Sequence, residues 1–251
     1  MNRWIFLFCA AFLVGCAADT TIPDMSAESL YAKAHKLFSK TDYEGAAKYF
    51  DEVERQHPYS QWAPRAQIMA AYSFYEGEKY DDAILALDRF IQLHPGNKNA
   101  PYAYYLRGLC YYEQISDVAR EQQMTVNAKR AFNDVITRFP NSIYANDAQT
   151  KLNTIEDQLA GKEMAVGRYY LEQKEYMAAL RRFDDVVQRF SHTNQVNEAY
   201  YRIAVCYTVL GMLEQAQKLA ELQKRMYPTT EWTLKTGTLV KKYQPKEKVK
   251  K

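Results

Sequence analysis

The chain has 251 residues, 47% of them hydrophobic and 25% charged, with a formal net charge of +3. That composition supports a sizeable core and excludes a disordered chain, and so small a charge gives no ground for nucleic acid as a partner. Nine Gly and eight Pro are too few for an all-β protein with many tight turns, whereas 21 Tyr are an excess to be placed in packing, in a binding surface or in both.

The first element in chain order is a targeting segment. Arg3 supplies a short basic start, residues 4–14 form an apolar run too short to span a bilayer, and small Gly15 precedes Cys16. Leu13-Val14-Gly15-Cys16 resembles the lipobox of bacterial lipoproteins. The resemblance implies a signal peptide at 1–15, cleavage before Cys16, acylation of Cys16 with chains such as palmitate, and a lipidated tether at 16–26. Several acyl chains on one residue hold a soluble domain firmly, since each buried CH₂ adds about 0.8 kcal/mol. Ala17 stands where Asp tends to retain such lipoproteins in the inner membrane, which favours the outer membrane; Asp19 weakens this slightly. Cys9 leaves with the signal. Cys110 and Cys206 lie in apolar helical stretches and are expected as buried free thiols, neither bridged nor metal-bound.

From about residue 27 the chain repeats itself. DYEGAAKYFDEVERQHP ends at Pro58, KYDDAILALDRFIQLHP at Pro95, AKRAFNDVITRFP at Pro140, EYMAALRRFDDVVQRFS at Ser191 and EQAQKLAELQKRMYP at Pro228. The small residues Ala46, Ala83, Ala128, Ala179 and Ala216 recur at intervals of 37, 45, 51 and 37. Upstream of each lies a helix with its own small residue, Ala34, Ala71, Gly108, Gly167 or Ala204, followed three positions later by Leu or an aromatic. Small residues let paired helices approach and the large residue fills the adjoining gap; proline stops each second helix. A period in the thirties with two helices per unit is the signature of tetratricopeptide repeats. The expected fold is therefore all-α, a tetratricopeptide-repeat (TPR) solenoid of about five helix pairs with a concave face. Residues around ISDVAREQ lengthen the third unit's inter-helix loop, and residues 144–166 lengthen the first helix of the fourth unit, with Gly161 as a possible kink.

No nucleotide loop, HExxH, GxSxG or CxxC occurs, so no enzyme, cofactor or metal is expected. His57 and His94 occupy equivalent places before closing prolines, which is a structural explanation. Asp81-Asp82 and Asp184-Asp185 lie on or beside repeat helices as solvated charges. First helices face the concavity of a helix-pair solenoid. Counted from each small residue, a stripe at −6, −3, +1 and +4 collects Tyr31 and Phe38 in unit one, Tyr72 and Tyr75 in unit two, and Tyr102, Tyr105 and Tyr112 in unit three. Units four and five offer Met164, Arg168 and Leu171, then Glu198, Tyr201, Val205 and Thr208. Tyrosine combines a large apolar face with a polar tip and suits extended or aromatic-rich peptides; packing between helices is the alternative for any single one. The asymmetry implies a substrate groove in 27–140 (units one to three) and a docking half in 141–235 (units four and five). Residues 236–251 form a basic tail, expected disordered, with six lysines from Lys241 on.

The strings RQHPYSQWAPRAQIMAAYSFYEGEKYDDAILALDRFIQLHPGN and NAPYAYYLRGLCYYEQI resemble the BamD family, lipoprotein components of the outer-membrane β-barrel assembly machine. The resemblance covers nearly the whole chain, is strongest over 27–140, and includes ISDVAREQQMTVNAKRAF in a shorter form than some members carry. It implies a scaffold anchored by lipid on the periplasmic face of the cell outer membrane. Implied partners are the periplasmic domains of the barrel subunit, accessory Bam lipoproteins and unfolded outer-membrane proteins, whose C-terminal targeting segments it receives for folding and insertion. It also implies partner docking for Arg182, which matches a family arginine implicated in communication with the barrel subunit. The repeats by themselves place Arg182 only on a second helix. A TPR lipoprotein scaffold for peptidoglycan remodelling or pilus assembly shares the same anchor and fold.

Overall fold

The structure is a computed structural model that describes residues 22–115 and 122–243. Cys16, the signal segment, residues 116–121 of the insert and residues 244–251 lie outside the described residues. Within them the chain is helical: α1 (Ala27–Phe38), α2 (Tyr43–Gln56), α3 (Ala63–Glu76), α4 (Tyr80–Leu93), α5 (Ala100–Glu113), α6 (Gln122–Arg138), α7 (Ile143–Glu172), α8 (Tyr176–Arg189), α9 (Val196–Val209), α10 (Leu213–Met226) and α11 (Glu231–Tyr243). Each helix packs on the next, so the chain is a solenoid of five tetratricopeptide-type pairs, α1/α2 to α9/α10, followed by α11.

The small residues do what their spacing predicts. Ala34, Ala71, Gly108 and Ala204 on first helices are buried, as are Ala46, Ala83, Ala128, Ala179 and Ala216 on second helices. In the first four pairs a fully buried large side chain comes four residues after the second-helix alanine: Phe50, Leu87, Phe132 or Phe183; in the fifth, Ala220 stands there. A Cβ on Gly108 would stand 2.7 Å from Phe132 Cε1, and one on Gly167 would stand 2.5 Å from Phe183 Cε1. Glycine is thus required where the edge of a phenylalanine ring closes on the backbone of its partner helix.

Both kinds of turn repeat. In four within-pair turns one residue takes a left-handed conformation two positions before the second helix: Thr41 (φ 61°), Glu78 (φ 57°), Lys174 (φ 63°) and Gly211 (φ 75°). Only the last is glycine, so the other three turns carry a conformation that costs an L-residue about 1–2 kcal/mol and that packing holds in place. Between pairs, backbone donors bond in steps of three: Ser60 N to His57 O and Ala63 N to Ser60 O, then Asn97 N to His94 O and Ala100 N to Asn97 O. Ser142 N to Phe139 O and Thr193 N to Phe190 O continue the pattern. Ser191, which replaces the closing proline in unit four, leaves this geometry unchanged. His57 and His94 are equivalent helix caps, as their spacing implies, and His57 Nε2 lies 2.6 Å from Met25 O.

Two boundaries differ from expectation. The two halves do not part at residue 140. Helix α7 runs unbroken for 30 residues, about 45 Å at the usual rise, through Gly161. Its first half packs Ala148, Leu152 and Ile155 against Phe132 and Val135 of α6, its second half packs Ala160 and Met164 with Phe183 and Val186 of α8, and Leu159 touches both cores. At its middle, Glu156 binds Lys129 Nζ of α6 at 2.8 Å and pairs with His192 of the α8–α9 turn. The second difference is at the C-terminus. Residues 236–243, expected in the basic tail, belong to α11, which closes the open face of the last pair. Gln223 is fully buried there, accepting from Thr236 Oγ1 at 2.8 Å and donating to Asn197 O at 3.1 Å.

Cys110 and Cys206 are buried free thiols, and burial pushes them up to about 12 and about 11. The glycine contacts make a paired prediction. Gly167→Ala is expected to destabilise the fold by about 1–3 kcal/mol through overpacking against Phe183. Gly161→Ala, whose Cβ would meet only Gln195 Nε2 at 4.0 Å, is expected to stabilise it by up to about 1 kcal/mol. Urea unfolding midpoints of the two variants must move in opposite directions; shifts of the same sign contradict the packing described.

Candidate functional site

Contacts between first helices locate the inner wall of the solenoid. α1 touches α3, α3 touches α5 and α5 touches α7, while no pair of second helices makes a comparable contact among the described residues. Spacing shortens on the inside of a curved stack, so α1, α3, α5 and the start of α7 form the concave side.

Aromatic rings run along that side in one connected series. Phe38 stacks on Tyr72 at 5.4 Å; Tyr72 meets Tyr75 at 6.3 Å and Tyr102 at 6.5 Å; Tyr102 meets Tyr144 at 5.4 Å. Tyr144 stacks on Tyr105 at 5.3 Å, and Tyr105 and Tyr112 both rest on buried Phe132, at 6.3 and 6.1 Å. Six of the seven expected groove residues therefore join one ladder across four units. All six are half-buried and pack in part against the core clusters. Tyr31 departs from the expectation. Its ring packs on Phe50 at 5.2 Å and Trp62 at 4.8 Å, among the α1, α2 and α3 core residues.

The hydroxyls are held by their surroundings. Tyr105 donates to the Asp147 carboxylate, one turn from Tyr144 on α7. A hydrogen bond to Glu76, with burial adding to it, raises Tyr72 to about 12; burial, then the charge of Glu113, raises Tyr75 to about 12. Burial also raises Tyr102 and Tyr105. These shifts keep the phenols protonated, in the form that donates hydrogen bonds and offers an apolar face rather than a nucleophile. Lys151 Nζ sits 4.8 Å from the Tyr112 ring centre and brings one positive charge to this end of the ladder.

The stripe does not continue into the second half. Met164 and Thr208 are buried, and Tyr201 packs on Trp232 of α11 at 5.5 Å. Arg182 lies apart from the ladder, on α8, where Nη1 donates to Glu163 Oε2 of α7 at 3.0 Å. It lines an open depression with Tyr170, Glu175, Met177, Arg181 and Asp185. Exposed Tyr169 and Met177 add apolar surface to these two helices.

Tyr144, central to the ladder, is absent from the sequence-based groove. A signal for it exists: Pro140 precedes Ala145 by the same five residues that separate Pro58 from Ala63 and Pro95 from Ala100, and all three alanines are buried. The start of α7 is thus a first helix in register, although its small residue Gly167 lies far downstream.

Helix pairs in series with a preformed aromatic wall define a tetratricopeptide-repeat scaffold; among the described residues no helix is long and apolar enough to cross a membrane. Residues 23–233 match the YfiO family of outer membrane lipoproteins, and the chain belongs to that family. It is 41% identical over 228 residues to the outer membrane protein assembly factor BamD of Caulobacter vibrioides, covering 89% of this chain and 75% of that protein. The factor of the same name from Rickettsia prowazekii is 40% identical, covering 92% and 93%. Among solved structures, the TPR2AB domain of yeast Sti1 in complex with an HSP90 peptide matches with a TM-score of 0.45 and 13% identity, over 85% of this chain and 82% of that one.

Ladder tyrosines link the groove to stability. Tyr72 and Tyr75 titrate near 12 in the folded chain, against about 10 when unfolded. Between those values the folded state holds protons that the unfolded state releases, so stability is intact below about pH 10 and declines as pH rises toward about 12. Replacing both with Phe is expected to flatten that decline, read as urea midpoints from pH 8 upward; an unchanged slope in the double variant contradicts the assignment.

Proposed function

We propose that this chain is an outer membrane protein assembly factor: a non-catalytic scaffold, anchored through lipid on Cys16 at the periplasmic face of the outer membrane. It receives the C-terminal segments of unfolded barrel proteins in the groove of its first half. The observation that carries this reading is the aromatic ladder from Phe38 to Tyr112, seven half-buried rings, with Tyr112 joined to the other six through buried Phe132, that include six of the residues expected to contact substrate. Support for the assembly role comes from the relatives named outer membrane protein assembly factor at 40 and 41% identity.

The physical fit is direct. A C-terminal β-strand is extended, presents alternate apolar side chains and often ends in an aromatic residue. Preformed rings bind such a chain with little loss of their own side-chain freedom, because packing has already fixed them. Asp147 accepts from the Tyr105 hydroxyl and ring-to-ring packing holds its neighbours, so the ladder is ordered before a ligand arrives. The second half carries partner docking at Arg182: a charge held by Glu163 beside exposed Tyr169 and Met177 suits the periplasmic domain of a barrel-forming subunit. Accessory lipoproteins of the same complex are further partners.

Tyr72→Ala with Tyr105→Ala is expected to weaken binding of a peptide from the last strand of a barrel protein, each lost ring costing about 1–2 kcal/mol. Titration calorimetry with the full chain reads the affinity, and circular dichroism checks that helicity is retained. Unchanged affinity in a helical double variant rejects the groove as the substrate site.

A further inference from the structure

Second helices run antiparallel to first helices, so the first three turns between pairs, α2–α3, α4–α5 and α6–α7, lie along one edge of the solenoid; α7 is about twice as long as the helices before it, and the contact of His192 with Glu156 sets the α8–α9 turn halfway along it. The N-terminal segment enters at that same edge. Met25 N donates to Gln56 Oε1 at 3.0 Å and His57 Nε2 meets Met25 O at 2.6 Å, which fixes residues 23–26 beside the end of α2. The opposite edge carries the turns within pairs.

The two edges differ in charge. Segments 55–62, 91–99 and 138–142, the turns of this edge, contain no Asp or Glu. They hold three exposed cations: Arg55, Lys98 and Arg138. The described within-pair segments of the same units, 38–44, 75–82 and 113–115, hold seven carboxylates against two lysines. Carboxylates near the first edge are Asp24 and Glu28, where the chain begins its first helix, Glu52 and Asp134, which pair with Arg55 and Arg138 from one turn back, and Glu54, which pairs with Arg89. The same edge exposes large apolar side chains at its first three turns: Tyr59 at 101%, Ile143 at 82% and Leu93 at 56%.

We propose that the first three between-pair turns rest on an anionic lipid surface, in the leaflet that holds the acyl chains of Cys16. The inference builds on the anchoring reading above. From Cys16 to Ile22 the chain reaches no more than about 20 Å, so an anchored Cys16 keeps this edge close to the headgroups. Turns that carry exposed cations and no carboxylate of their own are drawn to anionic headgroups, and a fully exposed tyrosine suits the membrane–water interface. The opposite edge of the same units, with its seven carboxylates, then points away from the membrane. An acidic protein is the other occupant that the charge would fit; it would shield the edge from lipid.

Lipidated full-length protein in vesicles of phosphatidylethanolamine and phosphatidylglycerol tests this. A fluorophore is attached at Tyr59→Cys, at Ile143→Cys or, on the opposite edge, at Tyr169→Cys. A lipid with a nitroxide headgroup acts as quencher. Buried Cys110 and Cys206 do not compete for label, and the parent chain labelled in parallel gives the background. Quenching at positions 59 and 143 is expected to exceed that at 169 by at least about threefold. It should fall when phosphatidylcholine replaces phosphatidylglycerol, and in the variant combining Arg55→Glu with Lys98→Glu. Equal quenching at all three positions, or quenching indifferent to anionic lipid, overturns the proposal. Mass spectrometry of Cys16 reads the anchor separately: absence of acyl chains with asymmetric quenching retained sinks the anchoring reading and leaves the lipid-facing edge standing.

Discussion

One contact sets the geometry on which everything else depends: in the first four pairs, a small residue of the first helix against a large buried side chain of its partner. At Gly108 and Gly167 the approach is so close that no Cβ fits beneath the rings of Phe132 and Phe183. That contact brings the two helices of a pair together. Repetition of it carries first helices into contact with one another along one side, α1 to α3 to α5 to α7. The groove is a consequence of this packing and not a separate construction. Its tyrosines project from the same helices, one or more positions away from the small residue that docks on the partner.

The ladder serves the fold and, on the proposed reading, the ligand as well. Tyr102 and Tyr105 each contact a core cluster with part of the ring, and their hydroxyls are shifted toward the protonated state by burial. Packing and binding are therefore not competing explanations for the tyrosine excess. Rings that are half in the core are held in place, and held rings make a groove that gains affinity from preorganisation. Tyr31, which lies between Phe50 and Trp62, shows where the same stripe position turns to packing: a neighbouring tryptophan from the α2–α3 turn covers it.

Helix pairs, their count and their small residues were legible because packing writes them as fixed spacings. What depended on length was not. Helix α7 carries the docking surface for α6 at its start and for α8 at its end, and its 30 residues place Tyr144 in the groove while Gly167 lies about six turns later. Counting the stripe from Gly167 therefore skipped the portion of the helix that faces the ladder. Residues 236–243 carried too few apolar residues to stand out from a basic tail, yet Thr233 and Thr236 are buried in that helix, one hydrogen-bonded to Tyr227 O and the other to Gln223. A cap helix that satisfies polar groups has a weaker signature than one that buries Leu and Phe.

The chain belongs to a family of outer membrane lipoproteins, and the proposed function assigns chain binding to the ladder and partner docking to the face around Arg182. The central claim is that the ladder holds the C-terminal segment of a barrel protein before insertion. A photoreactive phenylalanine analogue at position 102, introduced into living cells during synthesis of a barrel protein, measures this directly. The account predicts cross-links from position 102 to the last strand of the unassembled barrel protein, with none from position 169 in the second half. Cross-links to that strand from 169 and none from 102 would contradict it.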